Sequence, residues 1–288
     1  MKHLKHRYEV KVYEQILFVE DSISGEKLFG FKVSKHDSVK LRNLLYFGIP
    51  ASVSSSEERI AQQIAEKYNS CFLEVFAPEE QKTIHIIRSY TNLFRPAFIS
   101  RKHFQSYMSE VEKFLEHPKK AVLTLELEKT SEILERELVS NPFFTIDKAG
   151  DGRDLNRTNK SLIITSPSIY KKHKENFRNC RDLLFMRTSE EHLYIGPLIY
   201  SSRFQVPQFD NAEVNPAPLL LPQEEHLLYF FIERILYFYF FQLNDKLNQD
   251  CGMPVRHKLV LNRLSLNGYS ERVTSYPRSH ESYITIMK

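Results

Sequence analysis

Cysteine is scarce in this chain, and it is not arranged as a disulfide framework or a zinc site requires. Cys71, Cys180 and Cys251 lie far apart, and the sequence contains no CxxC. An odd number of widely spaced cysteines indicates reduced thiols and predicts a cytoplasmic protein. Structural zinc sites need four closely spaced Cys or His ligands. We therefore predict no metal site, and we expect Cys180, beside a predicted buried strand, to be inert.

Long uncharged apolar segments are also missing. The basic start MKHLKHRYEV has no apolar core, so we do not interpret it as a signal peptide. The most apolar segment, HLLYFFIERILYFYFFQL at 226–243, carries Glu233 and Arg234 in its middle. A spanning helix needs about 20 largely uncharged residues. The segment therefore predicts a buried aromatic helix, here from about 223 to 248, and no membrane contact.

Glycine is too sparse to supply the usual phosphate-binding loops. The chain has 8 glycines and no GxxxxGK[ST] or GxSxG sequence. The only glycine cluster, AGDGRD at 149–154, carries two aspartates, which repel phosphate. It is more typical of a surface loop. We predict no catalytic residue and no cofactor-binding residue, although a Ser-His-Asp arrangement cannot be read from one sequence.

The charge balance gives little reason to expect nucleic acid as a partner. Lys and Arg number 40 against 36 Asp and Glu, a net charge of +4, and they are scattered along the chain. A DNA-binding winged helix would need a basic recognition helix, yet SSEERIAQQIAEKYN carries more acidic than basic residues. A DNA-binding regulator is therefore a disfavoured alternative.

The first 97 residues carry the pattern of a winged helix-turn-helix. Three segments rich in β-branched and aromatic residues, at 8–13, 15–21 and 26–33, predict strands. Helical spacing with serine caps predicts helices in SVKLRNLLYFG, SSEERIAQQIAEKYN and PEEQKTIHIIRSYTNLF. Residues 98–118 predict a linker helix that ends at Pro118.

From residue 119 to 288 strands alternate with helices, which predicts a Rossmann-like α/β domain with a parallel sheet. The predicted strands include AVLTLEL, FFTID, SLIITSPS, RDLLFMRTS and HLYIGPLIY. In such a fold the loop after the first strand usually carries the glycines that hold a nucleotide, but here it reads LELEKTSE. A hairpin around Asn267-Gly268 follows the aromatic helix.

Residues 118–288 resemble the ThiF-like proteins, related to ubiquitin-activating enzymes, that serve azoline and thiazole peptide biosynthesis. The resemblance rests on the SLIIT strand, on Ile195, Gly196, Pro197 and Leu198, and on Pro277 after the final strands. The cysteine pairs of that family's zinc site are absent, and the residues standing near those positions are Gln208, Phe209, Ser279 and His280. The family's glycine-rich ATP loop is absent as well. The resemblance therefore implies a degenerate member without zinc or adenylating chemistry.

The same resemblance implies a function for the first domain. In this family a winged helix-turn-helix binds the leader of a ribosomal precursor peptide as an added strand, against the third helix. The corresponding peptide-binding candidates here are Leu28, Phe29, Phe31, Lys32, Val33, Ile84, Ile87, Arg88 and Leu93. One alternating face of the strand should belong to the core. We expect Arg88 to be a surface charge that attracts an acidic leader.

The resemblance also implies partners. The expected role is a non-catalytic scaffold that presents the peptide to a YcaO-type cyclodehydratase, with a flavin-dependent dehydrogenase as a further implied partner. An atypical ATP-dependent adenylating enzyme is the alternative. The aromatic helix has more apolar surface than one domain core is expected to cover, which predicts a homodimer or a complex with the partner enzyme.

Overall fold

The computed structural model describes residues 1–127, 132–147, 161–172, 182–200, 220–248, 257–265 and 267–272. The chain divides into two compact units, Met1–Pro118 and Lys119–Lys288. Several sequence predictions lie outside the described residues. They concern the AGDGRD loop, Cys180, Cys251, and the positions Gln208, Phe209, Pro277, Ser279 and His280.

The first unit contains a three-stranded antiparallel sheet built from β2 (Tyr8–Tyr13), β3 (Ile16–Asp21) and β4 (Lys27–Lys32), in the order β2-β3-β4. These strands confirm the three predicted from alternation. The structure adds a small second sheet that the sequence analysis missed. Its strands are β1 (Lys2–Leu4) and β5 (Phe72–Glu74), which pair antiparallel.

Four helices complete the first unit: α1 (Lys35–Phe47), α2 (Ser56–Lys67), α3 (Pro78–Phe94) and α4 (Arg101–Glu116). The predicted serine cap is confirmed at α2. The Ser55 hydroxyl accepts from the Glu58 amide, and the Glu58 carboxylate accepts from the Ser55 amide. The helix α4 lies in this unit, where the Tyr107 hydroxyl is 2.6 Å from the Thr91 hydroxyl on α3.

The core of the first unit joins the sheet to α1 and α2. Leu17 and Val19 of β3 are fully buried against Leu41 and Leu45 of α1 and Ala61 of α2. These positions follow the period of two in the strand and of three to four in the helices, which is why the sequence pattern identified them. The sheet therefore presents one face to the helices α1 and α2.

The second unit has a seven-stranded mixed sheet in the order β12-β11-β10-β9-β8-β6-β7. Its strands are β6 (Ala121–Glu126), β7 (Phe144–Asp147), β8 (Ser161–Thr165), β9 (Asp182–Thr188), β10 (His192–Ile199), β11 (His257–Asn262) and β12 (Gly268–Arg272). Its helices are α5 (Glu132–Val139), α6 (Pro167–Lys172) and α7 (Pro222–Phe240). The chain is thus a mixed α/β protein.

The prediction of a parallel sheet is correct for one half of this sheet and wrong for the other. Strands β7, β6, β8 and β9 run parallel, whereas β9, β10, β11 and β12 pair antiparallel. Only residues 189–191 separate β9 from β10, too few for the crossover that a parallel neighbour requires. The C-terminal hairpin is present, but Gly268 begins β12 and does not form the centre of a tight turn.

Most of the aromatic helix α7 is buried in the single chain, and the expected homodimer or complex with a partner enzyme stays a prediction. Tyr237 is fully buried and Phe241, just after the helix, is 2% exposed. Both rings pack on Phe143, at centroid distances of 5.3 and 5.7 Å. Phe230 is the aromatic residue of this helix that stays exposed, at 55%. No helix in the described ranges is long and apolar enough to cross a membrane.

Candidate peptide-binding edge

Among the described strands, β4 pairs only with β3, so it forms an edge of its sheet. Just beyond β4, the Val33 amide donates to the Gln15 carbonyl at 2.8 Å. In an antiparallel ladder, backbone groups point toward the partner strand at every second residue. The ladder toward β3 therefore uses Phe31 and Phe29, which leaves the amides and carbonyls of Gly30 and Lys32 on the open edge.

The open edge of β4 has no hydrogen-bonding neighbour in the described part of the chain, whereas the opposite edge is partly covered. There, the Val10 amide of β2 donates to the Tyr46 hydroxyl of α1 at 2.8 Å. No such side chain is recorded at Gly30 or Lys32. The two edges of one sheet thus differ in their capacity to accept another strand.

The side chains of β4 divide between the core and solvent. Phe29 is 8% exposed and stacks on Tyr68 at the end of α2, with ring centroids 3.9 Å apart. Three other candidates, Leu28, Phe31 and Val33, are partly buried against the same core. Lys32 is exposed. The expectation that one alternating face belongs to the core is confirmed, and Lys32 is the predicted strand residue whose side chain is fully available.

The predicted helical half of the site is mostly buried. Ile84 is 3% exposed and Ile87 is fully buried, whereas Leu93 is 52% exposed. Ile87 and Arg88 lie three and four residues after Ile84, which is the spacing of the core-facing side of α3. A side of α3 that contacts a peptide would consist of other residues of the helix.

The expectation that Arg88 is a surface charge is wrong. This side chain is 4% exposed, donates from Nη2 to the Leu4 carbonyl, and lies 5.0 Å from the Tyr46 ring centroid. Burial lowers the pKa of Arg88 to about 10, although Tyr46 acts in the opposite direction. Reversing this charge would therefore disturb the core, and it cannot serve as a test of peptide binding.

The recorded contacts of β4 and of α3 run to different elements. On α3, Arg88 reaches β1, His85 Nε2 lies 3.0 Å from the Phe47 carbonyl at the end of α1, and Thr91 contacts α4. On β4, Phe29 contacts Tyr68. Tyr68, which sequence reasoning overlooked, is thus the aromatic neighbour of the edge strand. Tyr68 lies at the end of the predicted helix SSEERIAQQIAEKYN, and no local pattern indicated that its ring contacts the sheet.

The chemistry available at this edge is main-chain hydrogen bonding beside partly apolar side chains, with Lys27 and Lys32 exposed at the two ends of β4. Cys71, in the same unit, is buried. In the described ranges, no group of three or more His, Cys, Asp or Glu residues is placed to hold a metal ion. The geometry fits the capture of an extended chain.

Comparisons with known proteins give matches among solved structures alone: no protein-family model and no curated protein matches the sequence. One similar structure is a heterocyclase in complex with substrate and cofactor (TM-score 0.45, 12% identity), and another is the heterocyclase TruD (0.44, 10%). The alignments cover 94% of this chain but only 38% and 41% of those chains. A third is E. coli MccB (0.38, 10%), with 96% of this chain and 95% of MccB covered. The structural neighbours of this chain are thus heterocyclases and MccB.

Proposed function

We propose that this chain is a non-catalytic scaffold that binds the leader of a ribosomal precursor peptide as an added strand on β4. The observation that carries the proposal is the open edge of this strand at Gly30 and Lys32, which contrasts with the edge of β2 that Tyr46 covers. Strand addition gains affinity from main-chain hydrogen bonds, and neighbouring side chains supply specificity. Here the partly buried Phe31 and Val33 offer apolar contact beside those bonds.

The charge along the edge favours an acidic leader. Lys27 and Lys32 are exposed at the ends of β4. Lysines on an edge strand also discourage pairing with a second copy of the same strand, because like charges would face each other. A leader with acidic residues at the matching positions escapes this penalty. Rim charges of this type mainly change the association rate, so the contribution should weaken as salt increases.

The scaffold would act by raising the effective concentration of the core peptide at the modifying enzyme. Once the leader is held, modification of the core peptide by a YcaO-type cyclodehydratase becomes intramolecular in effect. In this proposal the first unit is a winged helix-turn-helix, and the second is a ThiF-like domain without zinc or ATP chemistry. A flavin-dependent dehydrogenase would join the same cytoplasmic complex, and the chain would work as a homodimer or a hetero-complex.

A proline at position 32 tests the proposed edge. Lys32→Pro removes an amide that points away from β3, so the internal ladder stays intact while a pairing donor is lost. We expect the affinity for the leader to fall by at least about tenfold, because one hydrogen bond and the neighbouring alignment are lost together. The measurement is fluorescence polarisation with a labelled synthetic leader peptide, with circular dichroism to verify folding.

A proline on the opposite edge is the matched control. The Ser22 amide donates to the Arg7 carbonyl, so the odd-numbered residues of β2 hydrogen-bond to β3 in this register. The amide of Val12, an even-numbered residue, therefore points away from β3, toward the outer edge of β2. Val12→Pro should therefore bind the leader as wild type does. Phe31→Pro is unsuitable because it would break the ladder to β3. A folded Lys32→Pro protein with unchanged affinity would contradict the proposal.

Calorimetry with ATP addresses the principal rival. Saturable ATP binding by the full chain, together with peptide-dependent release of pyrophosphate, would contradict the scaffold proposal and indicate an adenylating enzyme. We expect neither, because the sequence LELEKTSE has glutamates in place of the glycines of a phosphate-binding loop.

A further inference from the structure

Four cationic or basic side chains of the first unit come together away from the β4 edge. His3 belongs to β1, His6 follows it, and His85 and Arg88 lie on α3. His3 is fully buried, His6 is 8% exposed and Arg88 is 4% exposed. His85 is partly buried, and its ring centroid lies 5.7 Å from that of His3.

Several buried polar atoms of this cluster have no hydrogen-bond partner in the described part of the chain. They are both ring nitrogens of His3, Nε2 of His6 and Nη1 of Arg88. Buried polar groups in folded proteins are almost always paired with protein, water or a ligand. Unpaired buried nitrogens on three residues that interact electrostatically with one another are therefore candidates for binding an acceptor.

The charges around the cluster have one sign. The charged groups that lower the pKa of His3 are Arg88, His85 and the amino group of Met1, whereas a hydrogen bond to the Tyr46 backbone raises it. The charged groups that lower the pKa of His6 are Arg88, His3 and His85. Tyr46 of α1 is the titratable group that acts on Arg88. No carboxylate is among these groups in the described residues. A buried guanidinium without a counterion is costly, and a bound anion would remove that cost.

The cluster lies close to the protein surface. The His85 ring packs edge-to-face on Phe47 at 5.7 Å, and Phe47 is 48% exposed. Backbone also approaches the cluster closely at Gly48, which has φ 121° and where a Cβ would lie 2.7 Å from Cε1 of His3. The His85 side of the cluster therefore lies next to an exposed ring.

We propose that His3, His6 and Arg88 bind one small oxyanion, a phosphate or a carboxylate, through their unpaired nitrogens. Arg88 offers Nη1, and each histidine offers a ring N–H, so donors from β1 and α3 converge on the same ligand. A metal cation is disfavoured at this place because the buried guanidinium would repel it. The proposed site is separate from leader binding on β4 and does not depend on it.

Inorganic phosphate is the probe. At equal ionic strength, replacing chloride by phosphate should raise the thermal midpoint of the full chain by about 4 °C at near-saturating phosphate. The effect should grow from pH 8 to pH 6, because a bound anion favours protonated His3 and His6. NMR of the histidine Cε1 protons should show two signals titrating with phosphate. Acetate in a parallel series distinguishes a carboxylate source: protection by both anions indicates a general oxyanion site, and protection by phosphate alone indicates a tetrahedral anion.

Arg88→Met removes the guanidinium with little change in volume and should abolish the effect of phosphate. Arg42→Met is the matched control, since Arg42 is exposed on α1 and lies 5.7 Å from the same Tyr46 ring; it should keep the effect. If Arg88→Met does not fold, the wild-type NMR titration decides. Identical midpoints and identical histidine signals in phosphate and chloride would mean that water fills the cluster and would overturn the proposal.

Discussion

Replacing Phe143 by alanine is expected to destabilise the second unit by about 3–5 kcal/mol. Phe143 is fully buried and lies 5.3 Å from the rings of both Tyr237 and Phe240, measured between centroids. Removing the ring leaves a cavity among side chains that are themselves fixed by the helix α7. The free energy of unfolding, measured by urea denaturation with far-ultraviolet circular dichroism, gives the magnitude.

The same experiment decides whether the aromatic helix stabilises its own unit or an interface. Phe230→Ala on α7 is the control, because Phe230 is 55% exposed and should change stability by less than about 0.5 kcal/mol in a monomer. A large effect of Phe230→Ala that depends on protein concentration would instead indicate that this ring is covered by a second copy. A small effect of Phe143→Ala would contradict the packing described above.

Lowering the pH from about 7 to about 4 is expected to destabilise the first unit by on the order of 2 to 3 kcal/mol through His3 alone, since each unit of pKa shift corresponds to about 1.4 kcal/mol. Burial, together with the neighbouring Arg88, lowers the pKa of His3 from 6.5 to about 4. Burial also lowers the pKa of His6 well below its usual value. The folded state therefore binds fewer protons than the unfolded state between these values. The contribution of these histidines to the free energy of unfolding is fully present above pH 6.5 and is lost as the pH falls toward 4.

Chemical denaturation at pH 7.5 and pH 4.5, in a buffer without phosphate or carboxylate, measures this loss. The double variant His3→Gln with His6→Gln should lose less stability on acidification than wild type. His36→Gln, at an exposed position of α1, should follow wild type. The hydrogen bond from Arg263 lowers the pKa of Glu224. Carboxylates of this kind stop contributing to the free energy of unfolding at lower pH, and this loss is the same in all three proteins. Parallel pH profiles for wild type and the double variant would contradict the prediction.

The two predicted features of the first unit would respond to different conditions. Leader binding on β4 depends on backbone groups at Gly30 and Lys32 and on exposed lysines, so salt should weaken it. The cluster around Arg88 depends on buried nitrogens, so pH and small anions should control it. A change in salt at constant pH therefore separates the two features in one protein.

Local sequence patterns predicted most elements of this fold correctly. The strands at 8–13, 15–21 and 26–33 and the four helices of the first unit are present, because each pattern is set by neighbours within a few residues. The strand β1 was missed for the opposite reason. Its three residues show no alternation, and they form a strand because Lys2 pairs with Glu74, far along the chain.

The candidate site shows the same division. Alternation in β4 predicted that one face of the strand belongs to the core, and the structure identifies Phe29 as its buried residue and Lys32 as exposed. Sequence alone could not tell which backbone edge is open. That depends on which strands pair, on register, and on whether a hydroxyl such as that of Tyr46 reaches an edge.

The sequence by itself determined most of the described helices and strands and the α/β class, because these follow from residue type and short-range spacing. Only the tertiary structure decided that Arg88 is buried, that half of the large sheet is antiparallel and that most of α7 is buried. A long charged side chain on a helix is usually solvated, and its burial beside His3 and His6 depends on packing between segments remote in sequence. Long-range packing sets the electrostatic environment of each group, and no local pattern encodes it.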